Sequence, residues 1–247
     1  MKKLARLAAT AALALVACGR ALAPAALDDI LKAKEIKIAI PTDFPPYGFV
    51  GTDLKPQGLD VDMAAYIATK LGVKLELVPV TSANRIPYLQ RGKADLLISR
   101  LAKNPDGEKV IDFTSAYSPF YQAVFGPKAL AVKGPADLAG KTISVTRGAI
   151  EDMELTKIAP SGADIKRFED NNVTVSAFVS GQVQLVATGA SVAGAMMVKN
   201  PQLGAEYKFV LKDSPNFIGL GKGEDKLRTK VNEIIADARK SGELDKM

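Results

Sequence analysis

Apolar positions along this chain alternate between a period of two and a period near four, and the switches recur at short intervals. Leu27 to Leu31 reads as a short helix leading into Glu35–Ile40, where Ile36, Ile38 and Ile40 share one face of a strand. A Pro-rich turn through Asp43, Phe44, Pro45, Pro46, Tyr47 and Gly48 follows. "GLDVDMAAYIATKLG" then predicts a helix closing at Gly72, with Val61, Ala64, Ala65, Ala68 and Leu71 inward. Val73–Val80 predicts a strand, Ser82 or Asn84 onward a helix through Leu89, and Ala94–Ile98 a third strand. The polar stretch Lys103, Asn104, Pro105, Asp106 and Gly107 separates that strand from apolar Val110, Ile111 and Phe113, and reads as exposed backbone on one wall of a cleft.

The pattern restarts after Pro127. Strands are predicted at Lys141–Thr146, Ile165–Phe168, Val183–Ala187 and Tyr207–Leu211. Helices are predicted at Gly148–Ile158, from about Asn172 to Ser180, and near Val192–Val198. "GEDKLRTKVNEIIADARK" is an amphipathic helix whose stripe is Leu227, Val231, Ile234, Ile235 and Ala238. Short connections between strands and helices imply mostly parallel sheets covered by helices. Two such units suggest two lobes, and ligands in open α/β sheets sit beyond the strands' carboxyl ends. The segments after Ile40, Val80, Ile98 and Thr146 are therefore the places to look.

Composition narrows the chemistry. The 247 residues are 47% hydrophobic, enough for two lobes of roughly 100 residues each. The net charge of +6 comes from Lys and Arg scattered among Asp and Glu, without a basic block, which argues against a nucleic-acid partner. With no His and a single Cys, neither a zinc site nor a Cys/His nucleophile pair can be built, and no cofactor is implied. Lys2, Lys3 and Arg6 precede an apolar run from Leu7 to Ala17, as in a secretory signal over residues 1–23, with Ala21-Leu22-Ala23 offering a cleavage site. Leu15-Val16-Ala17-Cys18 also fits a bacterial lipobox, so Cys18 is either a lipid anchor or part of a discarded peptide. Both readings make the mature protein extracytoplasmic.

Candidate chemistry sits at the strand ends. Thr146-Arg147-Gly148-Ala149-Ile150-Glu151 is a strand-to-helix turn whose free N–H groups either hold an anion or simply cap the helix. Phe44 and Tyr47 either stack on a ligand or bury against the lobe. Arg85 stands near a helix N-terminus, where the dipole offers a cation nothing; it either grips a carboxylate in the cleft or lies on the surface. Arg100 and Lys103 add positive charge nearby. G-x-S-x-G, P-loop and H-E-x-x-H signatures are absent, and Asp60 with Asp62 fits helix capping.

Together "IPTDFPPYGFVGTDLKPQGLDVDMAAYIATKLGVKLELVPV", "NRIPYLQRGKADLLIS" and "EKVIDFTSAYSPFYQAV" resemble the bacterial extracellular solute-binding proteins of polar amino-acid ABC importers, from about Leu27 to Met247. The resemblance implies an α/β fold, a two-lobed periplasmic-binding-protein-like (type II) clamp. Each lobe would be a mostly parallel sheet flanked by helices, with two crossover strands joining them. Lobe one would comprise residues 27–117 and 218–247, lobe two residues 124–212, and the crossovers residues 118–123 and 213–217. It also implies ligand contacts at Asp43 and Phe44, at Ser99, Arg100 and Leu101, at Arg85 for a side-chain carboxylate, and at Gly148, Ala149 and Ile150 for the α-carboxylate.

Three departures stand out. Gly107 occupies the position of the family's carboxylate-clamping Arg, and Ala102 that of a Thr. The family's ammonium-binding Asp falls near Gly189 or Ala190 in "ATGASVAG". Relatives usually continue past "GELDKM" with a Lys- and Trp-containing tail. Arg100 either replaces the missing clamp or fills the pocket and blocks an ordinary amino acid. The implied function is capture of a small polar solute, an acidic amino acid or related carboxylate, by a monomer that hands it to a membrane permease, without catalysis. The alternatives are a non-transporting sensor or degenerate binding module, and a dehydratase on the same fold, for which Asp43 and Glu151 are the cleft positions able to supply an acid.

Overall fold

The structure, a computed structural model, describes residues 25–247; the signal-like run and Cys18 lie outside the described residues. The chain begins with α1 (Ala26–Ala33) and β1 (Glu35–Pro41), then forms a small antiparallel sheet of β2 (Asp43–Phe44), β3 (Gly48–Val50) and β4 (Pro56–Gln57). There follow α2 (Leu59–Leu71), β5 (Lys74–Val80), α3 (Arg85–Gln90), β6 (Leu96–Leu101), α4 (Pro105–Val110) and β7 (Ile111–Ser118). A second run contains β8 (Tyr121–Pro127), β9 (Thr142–Thr146), α5 (Ile150–Ile158), β10 (Asp164–Phe168), α6 (Asn171–Val179), β11 (Leu185–Gly189), α7 (Ala190–Lys199) and β12 (Ala205–Asp213). The chain returns through β13 (Asn216–Gly221) and α8 (Asp225–Ser241).

Two five-stranded sheets result, ordered β5-β1-β6-β13-β7 and β10-β9-β11-β8-β12. In the first, β5, β1 and β6 are parallel and β13 runs antiparallel to both its neighbours. In the second, β10, β9 and β11 are parallel and β8 is antiparallel to β11 and β12. The antiparallel half of each sheet arises where the chain passes between sheets, at Pro119-Phe120 and again at Ser214-Pro215. β8 is a strand that the apolar pattern left in the connecting stretch.

Both faces of the first sheet are covered. Ile36, Ile38, Ile40, Leu96 and Ile98 pack with Met63 and Ile67 of α2 and with Leu227, Val231, Ile234 and Ile235 of the predicted α8 stripe. Ala39, Leu97 and Leu101 face Val80, Leu89, Ile111 and Phe113 on the other side. The second sheet is likewise filled by Val124, Ile143, Val145, Leu185 and Ala187 on one face and by Ala123, Phe125 and Val186 on the other.

Three local expectations need correction. The buried face of α2 is Asp60, Met63, Ala64, Ile67 and Ala68, while Ala65 is exposed. The face is rotated because Asp60 is fully buried, accepting the Tyr117 hydroxyl at 2.6 Å. β6 continues past Ile98 to Leu101 and is buried throughout. The polar stretch behind it contains the helical turn α4, whose N-cap Asn104 accepts the Gly107 N–H at 2.8 Å with Pro105 in the first turn.

Candidate functional site

The carboxyl ends of β1, β5, β6, β9 and β11 meet along the seam between the sheets, and nearly every candidate residue lies there. Phe44, at the end of β2, is fully buried with Tyr47, Phe120 and Val192. Phe44 and Tyr47 each meet Phe120 edge-on and are tilted to one another, with centroids 5.2–6.1 Å apart. This cluster joins the first sheet's lobe to α7 and closes one end of the seam.

Arg100 occupies its centre. The strand β6 carries an irregularity opposite Phe217–Gly219 of β13, where two residues of β13 span four of β6. Within it Arg100 adopts φ 46°, in the left-handed region costly to any residue with a Cβ. The bulge turns the guanidinium inward, and Arg100 is only 3% exposed. Its Cζ lies 3.6 Å from the Phe44 ring centroid, a stacked cation–π geometry. Nη2 donates to Ser82 Oγ at 2.7 Å, and Nη1 lies 3.7 Å from Glu151 Oε1 on α5, across the seam. Its Nε has no partner among the described residues.

Arg85 is also buried, at the first position of α3. Its Nη1 donates to the Ser99 carbonyl, so it holds β6 at the bulge, while its Nε is unpartnered. Burial, and then the like charge of Arg100, lower the Arg85 pKa to about 9. On the far side, burial raises the Asp60 carboxyl to about 6, against the opposing pull of the Tyr117 hydrogen bond and of Arg100. The Tyr117 phenol is pushed well above its usual range by burial and by Asp60 beside it. The four groups form one buried electrostatic unit beneath the seam.

Other candidates have different places. Asp43 Oδ2 accepts the Asn171 backbone N–H at 2.7 Å and its Nδ2 at 2.8 Å, so a carboxylate from one lobe caps α6 of the other. Ser99 is buried behind the bulge, and Leu101 belongs to the core beside Gly219. At the α5 turn, Gly148 donates to Asp152 Oδ2 at 3.1 Å and Ala149 to the Thr146 carbonyl, so both amides have partners within the chain. Gly148 adopts φ 70°, and a Cβ there would sit 3.1 Å from Ala83 Cα of the opposite lobe, so this close approach requires glycine. Ile150 and Ala149 are buried beneath it. Gly189 abuts the aromatic cluster: a Cβ would overlap Phe120 Cζ and lie 2.8 Å from Phe44 Cζ.

The pattern of the sequence missed Ser82, Phe120, Asn171 and the full burial of Glu151. Glu151 is 1% exposed and neither carboxylate oxygen has a hydrogen-bond partner among the described residues. In sequence it reads as an ordinary acidic residue in a helix's first turn, and nothing local distinguishes it. Beside it an open cavity of about 530 Å³ spans both lobes, lined by Asn104, Asp106, Asp152, Thr156, Lys157 and Arg167. Among the described residues no three His, Cys, Asp or Glu side chains group to hold a metal ion.

Comparison with known proteins matches this architecture. The family model for bacterial extracellular solute-binding proteins, family 3, matches residues 36–247. A probable histidine-binding protein of Neisseria gonorrhoeae is 26% identical, covering 100% of this chain and 94% of its own. Among solved structures, a mutant of ArgBP from T. maritima superposes with a TM-score of 0.83 at 30% identity, covering 89% of this chain and 96% of that one. An ancestral amino acid-binding protein, a precursor of cyclohexadienyl dehydratase, gives 0.80 at 28% identity, covering 89% and 96%.

Proposed function

The chain belongs to the bacterial extracellular solute-binding proteins, family 3, and from that premise we propose that it captures an acidic amino acid or related small carboxylate and delivers it, as a monomer, to the permease of an ABC importer. The observation that carries the acidic refinement is the pair of buried arginines at the seam, Arg85 and Arg100, each with an unpartnered Nε. A guanidinium stacked on Phe44 with its Nε unpartnered keeps a donor for a carboxylate, and its burial strengthens the attraction. Arg100 thereby supplies the function of the clamp that Gly107 lacks. The ligand would sit between Arg100 and the α5 turn, and closure of the two lobes would remove it from water before the permease is engaged. The amino-acid ligands in the names of similar proteins support the solute class, not its charge.

Thermal shift with glutamate, aspartate, glutamine and C4–C5 dicarboxylates, with arginine and histidine as comparison, tests the reading. A shift for the acidic compounds is expected, and titration of Arg100→Ser should show weaker binding of them. A shift for arginine or histidine alone, or an Arg100→Ser variant that binds as well or better, refutes the acidic assignment.

One observation favours a second reading. Arg100 lies on the face of Phe44 where a ligand would stack, so the residue could instead plug the site of a binding module that no longer transports. Absence of any shift across the panel supports that reading. Turnover of prephenate, with Glu151 as the acid, would instead favour a dehydratase.

A further inference from the structure

Glu151 poses a problem that solute capture through Arg100 alone leaves unsolved. A carboxylate taken out of water is costly unless it is paired and hydrogen-bonded. Glu151 is 1% exposed and, among the described residues, both its oxygens lack a hydrogen-bond partner and its sole ion-pair partner, Arg100 Nη1, stands off at 3.7 Å, beyond hydrogen-bond range. Neighbouring polar groups offer no relief. The Gly148 amide is taken by Asp152, and Arg167 donates from Nε to Asp152 at 2.7 Å and from Nη2 to Thr156 at 2.8 Å. Such an acceptor, aimed across the seam, calls for a donor from outside the chain.

Of the two positions where the resemblance expects an ammonium-binding carboxylate, Gly189 and Ala190, the first is closed. At Gly189 even a Cβ would overlap Phe120 Cζ, and Phe44 Cζ lies 2.8 Å away, so the aromatic cluster fills the space an aspartate would need. We infer that Glu151 receives the ligand's ammonium group, replacing a carboxylate at the end of β11 with one on the first turn of α5. Arg100 and Glu151 then hold the two charges of a zwitterion, one from each lobe, and in the free protein they face each other in its place. A ligand carrying both charges satisfies both residues on closure; one lacking the amine leaves Glu151 buried beside a second carboxylate. This rests on the solute-capture reading and adds the requirement for an amine.

The test is isothermal titration of wild type, Glu151→Gln and Glu151→Asp with two matched pairs: L-glutamate against glutarate, and L-arginine against 5-guanidinopentanoate. Wild type is expected to prefer the amine-bearing member of the pair it binds. Glu151→Gln should weaken that member by about tenfold or more, the worth of one charge-assisted hydrogen bond, and should leave its des-amino partner unweakened or bound more tightly, since the buried like charge is gone. Glu151→Asp, which keeps the charge, should recover part of the loss and guards against a Gln variant that fails to fold. Equal effects on both members, or none, overturn the role of Glu151 and leave solute capture standing. Binding of arginine with this selectivity supports Glu151 while refuting the acidic ligand. No binding of any of the four by wild type, together with no thermal shift for aspartate, glutamine or the C4 dicarboxylates, overturns both.

Discussion

Replacing Arg100 separates the contributions that its unusual position combines. In Arg100→Gly the backbone at φ 46° loses its strain, a gain of about 1 kcal/mol. Against this stand the stack on Phe44 at 3.6 Å, worth about 2 kcal/mol when buried, and the charge-assisted hydrogen bond to Ser82, worth about 2 kcal/mol. All three lie within one lobe, so unfolding stability should fall by about 3 kcal/mol. Arg100→Ala forfeits the same contacts without relieving the backbone, and should cost about 1 kcal/mol more than Arg100→Gly. Urea unfolding of the three proteins reads both quantities. The pair with Glu151 acts between lobes and has a separate signature. Without Arg100 the closed form buries a lone carboxylate, which carries a penalty of about 3–5 kcal/mol that opening relieves by hydration. Solution scattering without solute should therefore show a larger radius of gyration for Arg100→Gly than for wild type. A glycine variant at least as stable as wild type, or equally compact, would refute this account of Arg100.

Two further outcomes follow from the same seam. Because Asp60 titrates near 6 in the fold and near 3.8 unfolded, the native state binds its proton more tightly. Its contribution is therefore greatest in acid and is lost as pH rises from about 4 to about 6, by about 3 kcal/mol in all. The stability of wild type relative to Asp60→Asn should slope downward over that window and be flat above it; parallel curves would show that the shift is absent. Restoring a carboxylate by Gly189→Asp should destabilise by about 1–3 kcal/mol through overpacking against Phe120 and Phe44. Adding Phe120→Ala should recover part of that loss in a double-mutant melting series, and additive losses would argue against the clash.

Much of the fold was legible in local pattern. The stripe Leu227, Val231, Ile234, Ile235 and Ala238 is buried as its period requires, because α8 has one apolar face and one sheet to cover. The failures have physical causes. The inward face of α2 was misplaced because an aspartate is assigned to water by default, whereas Asp60 is held inside by Tyr117, a residue 57 positions away. The turn of α4 was signalled by Asn104 and Pro105, a cap followed by proline, beneath a run that otherwise read as loop.

The seam shows where local information ends. Sequence alone determined that two α/β units exist and that their strand ends carry Phe44, Arg85, Arg100 and the Gly148 turn, with glycines at Gly107 and Gly189 where the resemblance leads one to expect charged residues. It left open whether Arg100 points into the cleft, because that depends on a mismatch in register with β13, more than a hundred residues on. It named Glu151 as a cleft acid but hid its burial, because a first-turn glutamate is ordinary until the first lobe closes over it and removes the water. Side-chain type and spacing are properties of the chain; burial and the partner across a gap exist only once the two sheets meet, and these turn a scattered Arg and Glu into facing charges 3.7 Å apart.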